Sequence, residues 1–164
     1  MVVKFTSTYN VHAHRLLADK GLAPKLIYDG TEGPRYGGLI MIVMDHVKGG
    51  TTLDELLHSS SSRELLDAII NSVTEAIKVL HAENLVFGDL RTPNILVDSD
   101  GNVKLVDFDW CGVHGVDRYP FIVGNGIDWA SGVGPLAMMF KAHDIFMLEG
   151  LKARIQAGEC PGTW

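Results

Sequence analysis

The sequence lacks the features that define several common classes of protein. Its only cysteines, Cys111 and Cys160, stand far apart without C-x-x-C spacing, which predicts free thiols in a reducing compartment rather than a disulfide framework. No stretch reaches the roughly 18 consecutive apolar residues of a membrane span, and the opening MVVKFTSTYN has no apolar run typical of a signal peptide. These absences predict a cytoplasmic protein without a membrane segment.

Positive charge is also scarce. The net charge is −6 and the basic residues form no block, so a nucleic acid is excluded as the main partner, because binding its phosphate backbone needs a concentrated basic face. A nucleotide held together with Mg²⁺ is not excluded, since the ion supplies the positive charge that the protein lacks. With 164 residues, 46% of them hydrophobic, the chain is long enough for one domain with a core, spanning residues 1–164.

The pattern of apolar residues predicts short strands alternating with helices. The continuous apolar run LIMIVMDHV indicates a buried strand, and Asp100-Gly101 between two β-rich runs indicates a hairpin. The predicted elements, in chain order, are a strand at 2–5, a helix at 10–20, strands at 23–30 and 39–47, a short helix at 51–59, a long helix at 63–83, a hairpin at 94–108, a loop at 111–134 and a last helix at 136–155.

Polar residues suited to metal chemistry cluster in VFGDLRTPNILVDSDGNVKLVDFDW, residues 86–110. Asn94 and Asp107 stand at the two ends of the predicted hairpin, so both can face one cavity. Carboxylate and amide oxygens are hard ligands that suit Mg²⁺, and phosphoryl transfer mainly requires positioning and compensation of charge. The alternative is an Asp/Asn-rich turn that only caps the hairpin.

The order of these features is similar to that of a known family. A long apolar helix leads into Gly-Asp-Leu-x-x-x-Asn, and the following hairpin ends in Asp-Phe-Asp; this arrangement resembles the protein-kinase-like fold and its small-molecule kinases. The resemblance implies an α+β protein with a truncated protein-kinase-like fold. Residues 1–47 would form a partial N-lobe sheet with one helix, and residues 48–164 a shortened, mainly helical C-lobe with a catalytic-loop hairpin.

The resemblance also implies roles for residues, with ATP and Mg²⁺ as cofactors. Asp89 would accept or orient the proton of the attacking hydroxyl, and Arg91 would meet the transferring phosphate. Asn94 and Asp107 would hold Mg²⁺. Asp109 would add a metal ligand or, alternatively, be an exposed turn residue.

Upstream, the resemblance implies a nucleotide site. Lys4 matches the strand lysine that contacts the nucleotide phosphates; the alternative is an exposed lysine on an edge strand. The helix at 10–20 has no Glu to pair with Lys4, and His12 stands at about that place. The hinge that would bind the adenine ring through its backbone consists of Met44, Asp45, His46 and Val47.

Several features depart from the family pattern. No Gly-rich strand pair precedes Lys4, and Phe87-Gly88 before Asp89 is more similar to the small-molecule, aminoglycoside phosphotransferase-like branch. The segments IDWASGV and HDIFML both resemble the start of one later helix, and HDIFML is preferred because glycines and a proline follow the first. No Ser or Thr lies between residues 107 and 129, which excludes Ser/Thr phosphorylation there. The whole pattern looks most like short kinase-like proteins of filamentous fungi.

These features leave several functions open. The first is an atypical ATP- and Mg²⁺-dependent phosphotransferase with an unknown small-molecule or protein acceptor. The second is a pseudokinase, which would bind a nucleotide or another protein with little catalysis, because the phosphate cover and the helix Glu are missing. A third is a metal-dependent phosphate-ester enzyme that uses Asp89, Asn94, Asp107 and Asp109 without adenine. The truncated lobes predict a homodimer or a protein partner that covers exposed apolar faces.

Overall fold

The computed structural model describes residues 1–59 and 61–157, so Cys160, predicted to be a free thiol, lies outside the described residues. Small antiparallel sheets and helices alternate along the chain, which confirms the predicted α+β class. The elements are β1 (Val2–Thr6), α1 (Val11–Asp19), β2 (Leu26–Asp29), β3 (Ile40–Met44), β4 (Thr51–Thr52), α2 (Leu53–Leu57), α3 (Arg63–Ala82), β5 (Leu85–Val86), a 3-10 turn (Thr92–Asn94), β6 (Ile95–Val97), β7 (Val103–Leu105), β8 (Gly112–Val113) and α4 (Lys141–Ala157).

The first sheet has three strands in the order β1-β3-β2, all antiparallel. In its register Lys4 pairs with Ile42, which is fully buried. Side chains alternate between the faces of a strand, so Lys4 and Thr6 share one face of β1, turned toward the interior, while Val3 and Phe5 are about half exposed on the other. The sheet therefore directs the side chain of Lys4 toward the interior of the protein.

Helix α3 forms the centre of the main core. Its stripe at i, i+3, i+4 and i+7 spacing, typical of a core-facing helix, consists of Ile69, Ile70, Val73, Ala76, Ile77 and Leu80, all buried. Ser62 caps its first turn by accepting from the amide of Leu65. The shorter α2 begins with a capping box in which Thr52 and Glu55 bond reciprocally, a device that satisfies free amides at a helix start.

The predicted hairpin is present as β6 and β7, with Ile95 opposite Leu105 and Val97 opposite Val103. Its turn is closed by Asp98, whose Oδ1 accepts from the backbone amides of Asp100 and Asn102 at 3.0 and 2.8 Å. The hairpin places Asn94 just before one strand and Asp107 just after the other, as the sequence predicted.

The last helix begins later than predicted, at Lys141 rather than Leu136. Residues 136–140 instead run beside residues 115–119: Met139 N donates to Asp117 O, and Tyr119 N to Ala137 O, both at 2.9 Å. This ribbon buries Tyr119, whose hydroxyl meets His143 Nδ1 at 3.0 Å. The helix contains HDIFML, whereas residues 127–133 are irregular.

None of the helices in the described ranges combines the length and the apolar character that crossing a bilayer requires.

Candidate active site

Asp144 holds the loop that carries the predicted catalytic residues. This carboxylate lies in the first turn of α4 and is 1% exposed. It accepts from the backbone amides of Phe87 at 2.8 Å and Gly88 at 2.9 Å, and His81 Nε2 lies 2.9 Å from its Oδ2. A buried carboxylate with three partners is well satisfied, so α4 fixes the position of the loop.

Gly88 is required by the backbone and by its surroundings. Its φ is +81°, and a Cβ there would lie 2.4 Å from Cε of Met139 and 3.2 Å from the backbone oxygen of Trp110. Glycine tolerates both conditions better than any residue with a side chain. The Phe87-Gly88 pair therefore has a structural cause in this chain.

Asp89 lies at the centre of a cluster of hydrogen bonds and is 4% exposed. Arg91 binds it in a bidentate manner: Nη2 donates to Oδ2 at 2.7 Å, and Nε donates to Oδ1. Asn94 Nδ2 donates to Oδ2 at 2.8 Å and to the backbone oxygen of Asp89 at 2.9 Å. The guanidinium of Arg91 also lies 5.8 Å from the centre of the Trp129 ring, close enough for a cation–π contact. Asp89, Arg91 and Asn94 thus form one unit.

Lys4 forms a second cluster with Asp107 and Asp109. Its Nζ lies 2.6 Å from Oδ1 of Asp107 and 2.8 Å from Oδ1 of Asp109. Oδ2 of Asp109 accepts from the hydroxyl of Thr6 at 2.8 Å. The structure therefore brings Lys4 to the end of the predicted hairpin, and the alternative of an exposed strand lysine is wrong.

Burial and ion pairing act on this cluster in opposite directions. Burial alone lowers the pKa of Lys4, but the two carboxylates outweigh it, so the pKa lies above the ordinary lysine value. For Asp109, burial raises the pKa above the ordinary value; Lys4 and Thr6 oppose this, while the charge of Asp107 adds to it. Lys4 is therefore positively charged, and burial disfavours the charged form of the Asp109 carboxylate beside it.

A cleft of about 550 Å³ separates the first sheet from the hairpin. Lys4, Asn94 and Asp107 line one part of it. The residues of the predicted hinge line it as well: Met44, Asp45, His46 and Val47. The amide of Asp45 donates to the backbone oxygen of Lys25 at 2.9 Å, whereas within the described ranges no partner occupies the amides of His46 and Val47. Asp89, Arg91 and Asp109 do not line this cleft.

The donor atoms at the cleft suit a nucleotide-bound Mg²⁺. Because Asn94 uses its Nδ2 on Asp89, its Oδ1 is left as an acceptor, and the side chain of Asp107 is 41% exposed. Within residues 1–59 and 61–157, no group of three or more His, Cys, Asp or Glu side chains is arranged to hold a metal ion. Mg²⁺ is commonly bound by one or two protein ligands together with substrate phosphates, so Asn94 and Asp107 fit that arrangement and not a metal cage made of protein alone.

Helix α1 contacts the site through His14 and not through His12. His12 is exposed, so the expectation that it stands beside Lys4 is wrong; helical geometry turns it to solvent while Ala13 and His14 are buried. The ring of His14 stacks on Phe108, with centroids 4.8 Å apart and planes 8° apart. Its Nε2 lies 2.7 Å from Pro24 O and its Nδ1 2.9 Å from the Tyr9 hydroxyl.

Several residues of the site were not found from the sequence. Asp144 and His81 hold the loop that carries Asp89, and Thr6 binds Asp109. A signal existed for Asp144, because an acid directly before the apolar run at 145–148 is costly to bury unless it binds something. No local signal marked Thr6, since its partner is 103 residues away.

The chain belongs to the protein kinase family, because the family model described as "Protein kinase domain" matches residues 33–119, more than half of the chain. The matched range contains the hinge, Asp89, Asn94, Asp107 and Asp109. Lys4 precedes it.

Similar proteins are serine/threonine-protein kinases. The chain is 35% identical over 75 residues to "Serine/threonine-protein kinase PAK 4" of Homo sapiens, covering 46% of this chain and 13% of that protein. It is 26% identical over 98 residues to "Serine/threonine-protein kinase CST20" of Candida albicans (strain SC5314 / ATCC MYA-2876), covering 60% of this chain and 8% of that protein. The chain thus spans only a small part of the curated relatives it matches.

Proposed function

We propose that the protein is an atypical ATP- and Mg²⁺-dependent phosphotransferase. The observation that carries the proposal is the cleft, because Lys4, the hinge, Asn94 and Asp107 all line it. The hinge amides would bind the base, Lys4 the phosphates, and Asn94 Oδ1 with Asp107 the metal ion. Bound Mg²⁺ would supply positive charge for the phosphate oxygens during transfer.

Asp89 has one lone-pair site left for an acceptor hydroxyl. A carboxylate has roughly four lone-pair sites, and Arg91 and Asn94 occupy three of them. The remaining site would accept a hydrogen bond from the attacking hydroxyl. Arg91, which is already beside this carboxylate, would compensate negative charge on the transferring phosphate.

The class of acceptor is a finer part of the proposal. The matched relatives are named serine/threonine-protein kinases, which favours a protein hydroxyl. The aminoglycoside phosphotransferase-like branch depends on Gly88 and Asp109, and Gly88 has a local structural cause. The likeness to short fungal kinase-like proteins depends on the pattern of the whole sequence. An acceptor screen that includes both a protein mixture and small hydroxyl compounds separates the two classes.

The alternative is a pseudokinase that binds a nucleotide or another protein without transferring phosphate. The observation that favours it is the bidentate pairing of Arg91 with Asp89, which occupies the carboxylate expected to meet the acceptor. In this case Asp89 and Arg91 would stabilise the loop and have no chemical role.

Thermal unfolding with ATP, with and without Mg²⁺, tests the nucleotide site. A ligand at 100 times its dissociation constant adds roughly 2.7 kcal/mol of stability, so Mg-ATP should raise the melting temperature. Asp107→Asn should abolish the shift, and it preserves the left-handed φ of 70° at this position, which Asn tolerates. The matched control is Asp100→Asn in the exposed hairpin turn. No shift in the wild type would reject the proposal.

Turnover separates the enzyme from the pseudokinase. If the wild type binds Mg-ATP, its release of phosphate from ATP is compared with that of Asp89→Asn, which keeps the size of the side chain. Loss of turnover with retained binding supports catalysis, whereas equal background rates in both proteins support the pseudokinase.

Residues 1–164 would form one cytoplasmic kinase-like domain, and two copies of it would form a homodimer. The outer face of α4 exposes Ile145 and Phe146. A groove of about 240 Å³ beside Phe146 is formed partly by Gly150 and Ala153. Because the protruding ring and the groove lie on the same helix, two antiparallel copies of α4 would each place Phe146 beside the groove of the other.

A further inference from the structure

Asp109 differs from Asp107 in its surroundings, although the two residues are almost adjacent. The side chain of Asp107 is 41% exposed and lines the nucleotide cleft, whereas that of Asp109 is 23% exposed and does not. Both oxygens of Asp109 face β1: Oδ1 meets Lys4 at 2.8 Å, and Oδ2 accepts from Thr6 at 2.8 Å. Asp109 is thus turned toward the strand and away from the cleft.

Two side chains on one face of β1 fix the Asp109 carboxylate. Lys4 and Thr6 are two residues apart, so they project to the same side of the strand. The hydroxyl of Thr8 adds a hydrogen bond to the backbone oxygen of Asp109 at 3.1 Å. Oδ1 is buried and forms no well-aligned hydrogen bond, so Lys4 is its electrostatic partner. This arrangement restrains Lys4 from a second direction.

Helix α1 offers Lys4 no carboxylate. Its one acid, Asp19, is exposed in the last turn. Asn10, which caps the helix, uses Oδ1 on the amide of Ala13 and Nδ2 on Cys111 O. The acids that hold Lys4 therefore come from the segment after β7.

We propose that Asp109 is a positioning residue that holds Lys4 in place of a carboxylate from α1, so that Lys4 stays in position when Asp107 turns from it to bind a metal ion. When Asp107 binds a cation, its attraction for Lys4 weakens, and the bond between Lys4 and Asp109 remains. This inference rests on the proposed function, and it replaces the expected role of Asp109 as a metal ligand.

The chemical reactivity of Lys4 tests whether Asp109 holds it, and this test needs no nucleotide. At pH 8 the rate at which acetic anhydride acetylates Lys4 is measured by peptide mass spectrometry, with the other lysines as internal references. Asp109→Asn should increase the rate at Lys4 several-fold, because the amine loses one of the two carboxylates that hold it and becomes more accessible to the reagent. Thr6→Val should give a smaller increase, and Asp19→Asn none. An unchanged rate in Asp109→Asn overturns the proposal.

Calorimetry of Mg-ATP binding tests whether the contact between Asp109 and Lys4 supports nucleotide binding. Asp109→Asn should weaken Mg-ATP binding by about tenfold, equal to about 1.4 kcal/mol, without changing the Mg²⁺ concentration required; Asp109→Glu should restore part of the affinity. A higher Mg²⁺ requirement with an unchanged rate of Lys4 acetylation identifies Asp109 as a metal ligand and overturns the proposal. Absence of Mg-ATP binding in the wild type would reject the proposed function. The acetylation result would still show whether Asp109 holds Lys4.

Discussion

At the scale of single residues, Asp144 holds the loop that carries Asp89. Two backbone amides and His81 contact this buried carboxylate. No covalent or local link joins it to the loop, since 57 residues separate it from Phe87. The geometry of Asp89 therefore depends on a helix that is distant in the sequence.

We expect Asp144→Ala to destabilise the protein by roughly 3–5 kcal/mol, because removal of the partner of buried polar groups leaves them unpaired. Urea unfolding measures the change. Asp144→Asn should cost less, since its amide oxygen still accepts one hydrogen bond. Asp128→Ala, the exposed acid in IDWASGV, is the matched control and should have little effect. An equal loss in Asp128→Ala and Asp144→Ala would contradict the assignment.

His14 makes stability depend on pH. Burial lowers its pKa, the bond to Pro24 O opposes this, and the charge of Arg15 adds to the lowering. Because Pro24 O can only accept, Nε2 of the neutral ring donates to it and Nδ1 accepts from Tyr9. Below about pH 6.5 the unfolded chain binds a proton at this position and the folded chain does not. The free energy of unfolding should therefore decrease as pH falls through this value.

Urea unfolding at pH 7.5 and pH 5.5 measures this loss, and His14→Gln should reduce it. The lowered pKa of His143, caused mainly by burial and opposed by Asp144, acts in the same direction, so some loss should persist. His12→Gln, at an exposed position, is the control. The same pH dependence in wild type and His14→Gln would exclude His14 as a source.

The positions of site residues were predictable where a local element of the sequence, such as the hairpin, determines them. Asn94 and Asp107 followed from the hairpin, because its register places them at neighbouring strand ends. The engagement of Asp109 with Thr6 and of Asp144 with Phe87 was not predictable, since each depends on packing between segments more than 50 residues apart.

At the scale of elements, α3 carries the core. Ile77 is 1% exposed on its inner face, so Ile77→Ala should cost roughly 2–5 kcal/mol through lost burial and a cavity. Lys78→Ala, at the next and exposed position, should change stability by no more than about 0.5 kcal/mol. Urea unfolding compares the two; similar losses would contradict the assignment of Ile77, and not Lys78, to the core.

Helix α3 was predicted within a residue of its observed ends, because a long apolar stripe is a local signal. The start of α4 was predicted five residues too early. Residues 136–140 have helical composition, but their backbone pairs with residues 115–119, and such pairing overrides local preference.

At the scale of the whole molecule, the proposed homodimer concerns the outer face of α4. Phe146→Lys should shift the monomer–dimer equilibrium toward monomer by about tenfold or more, since a charge at a buried contact costs at least 1.4 kcal/mol. Sedimentation equilibrium over a range of concentrations measures it. Phe5→Lys, on the half-exposed face of β1, is the control. A wild-type mass that stays monomeric at every concentration would exclude the dimer.

Tyr119 has a consequence for how the site is controlled. It is the sole hydroxyl-bearing side chain between residues 107 and 129, and it is 1% exposed with its oxygen on His143. A tyrosine-modifying enzyme would have to open the ribbon to reach that oxygen. Modification of Tyr119 in the folded protein therefore requires prior local unfolding of residues 115–119 and 136–140.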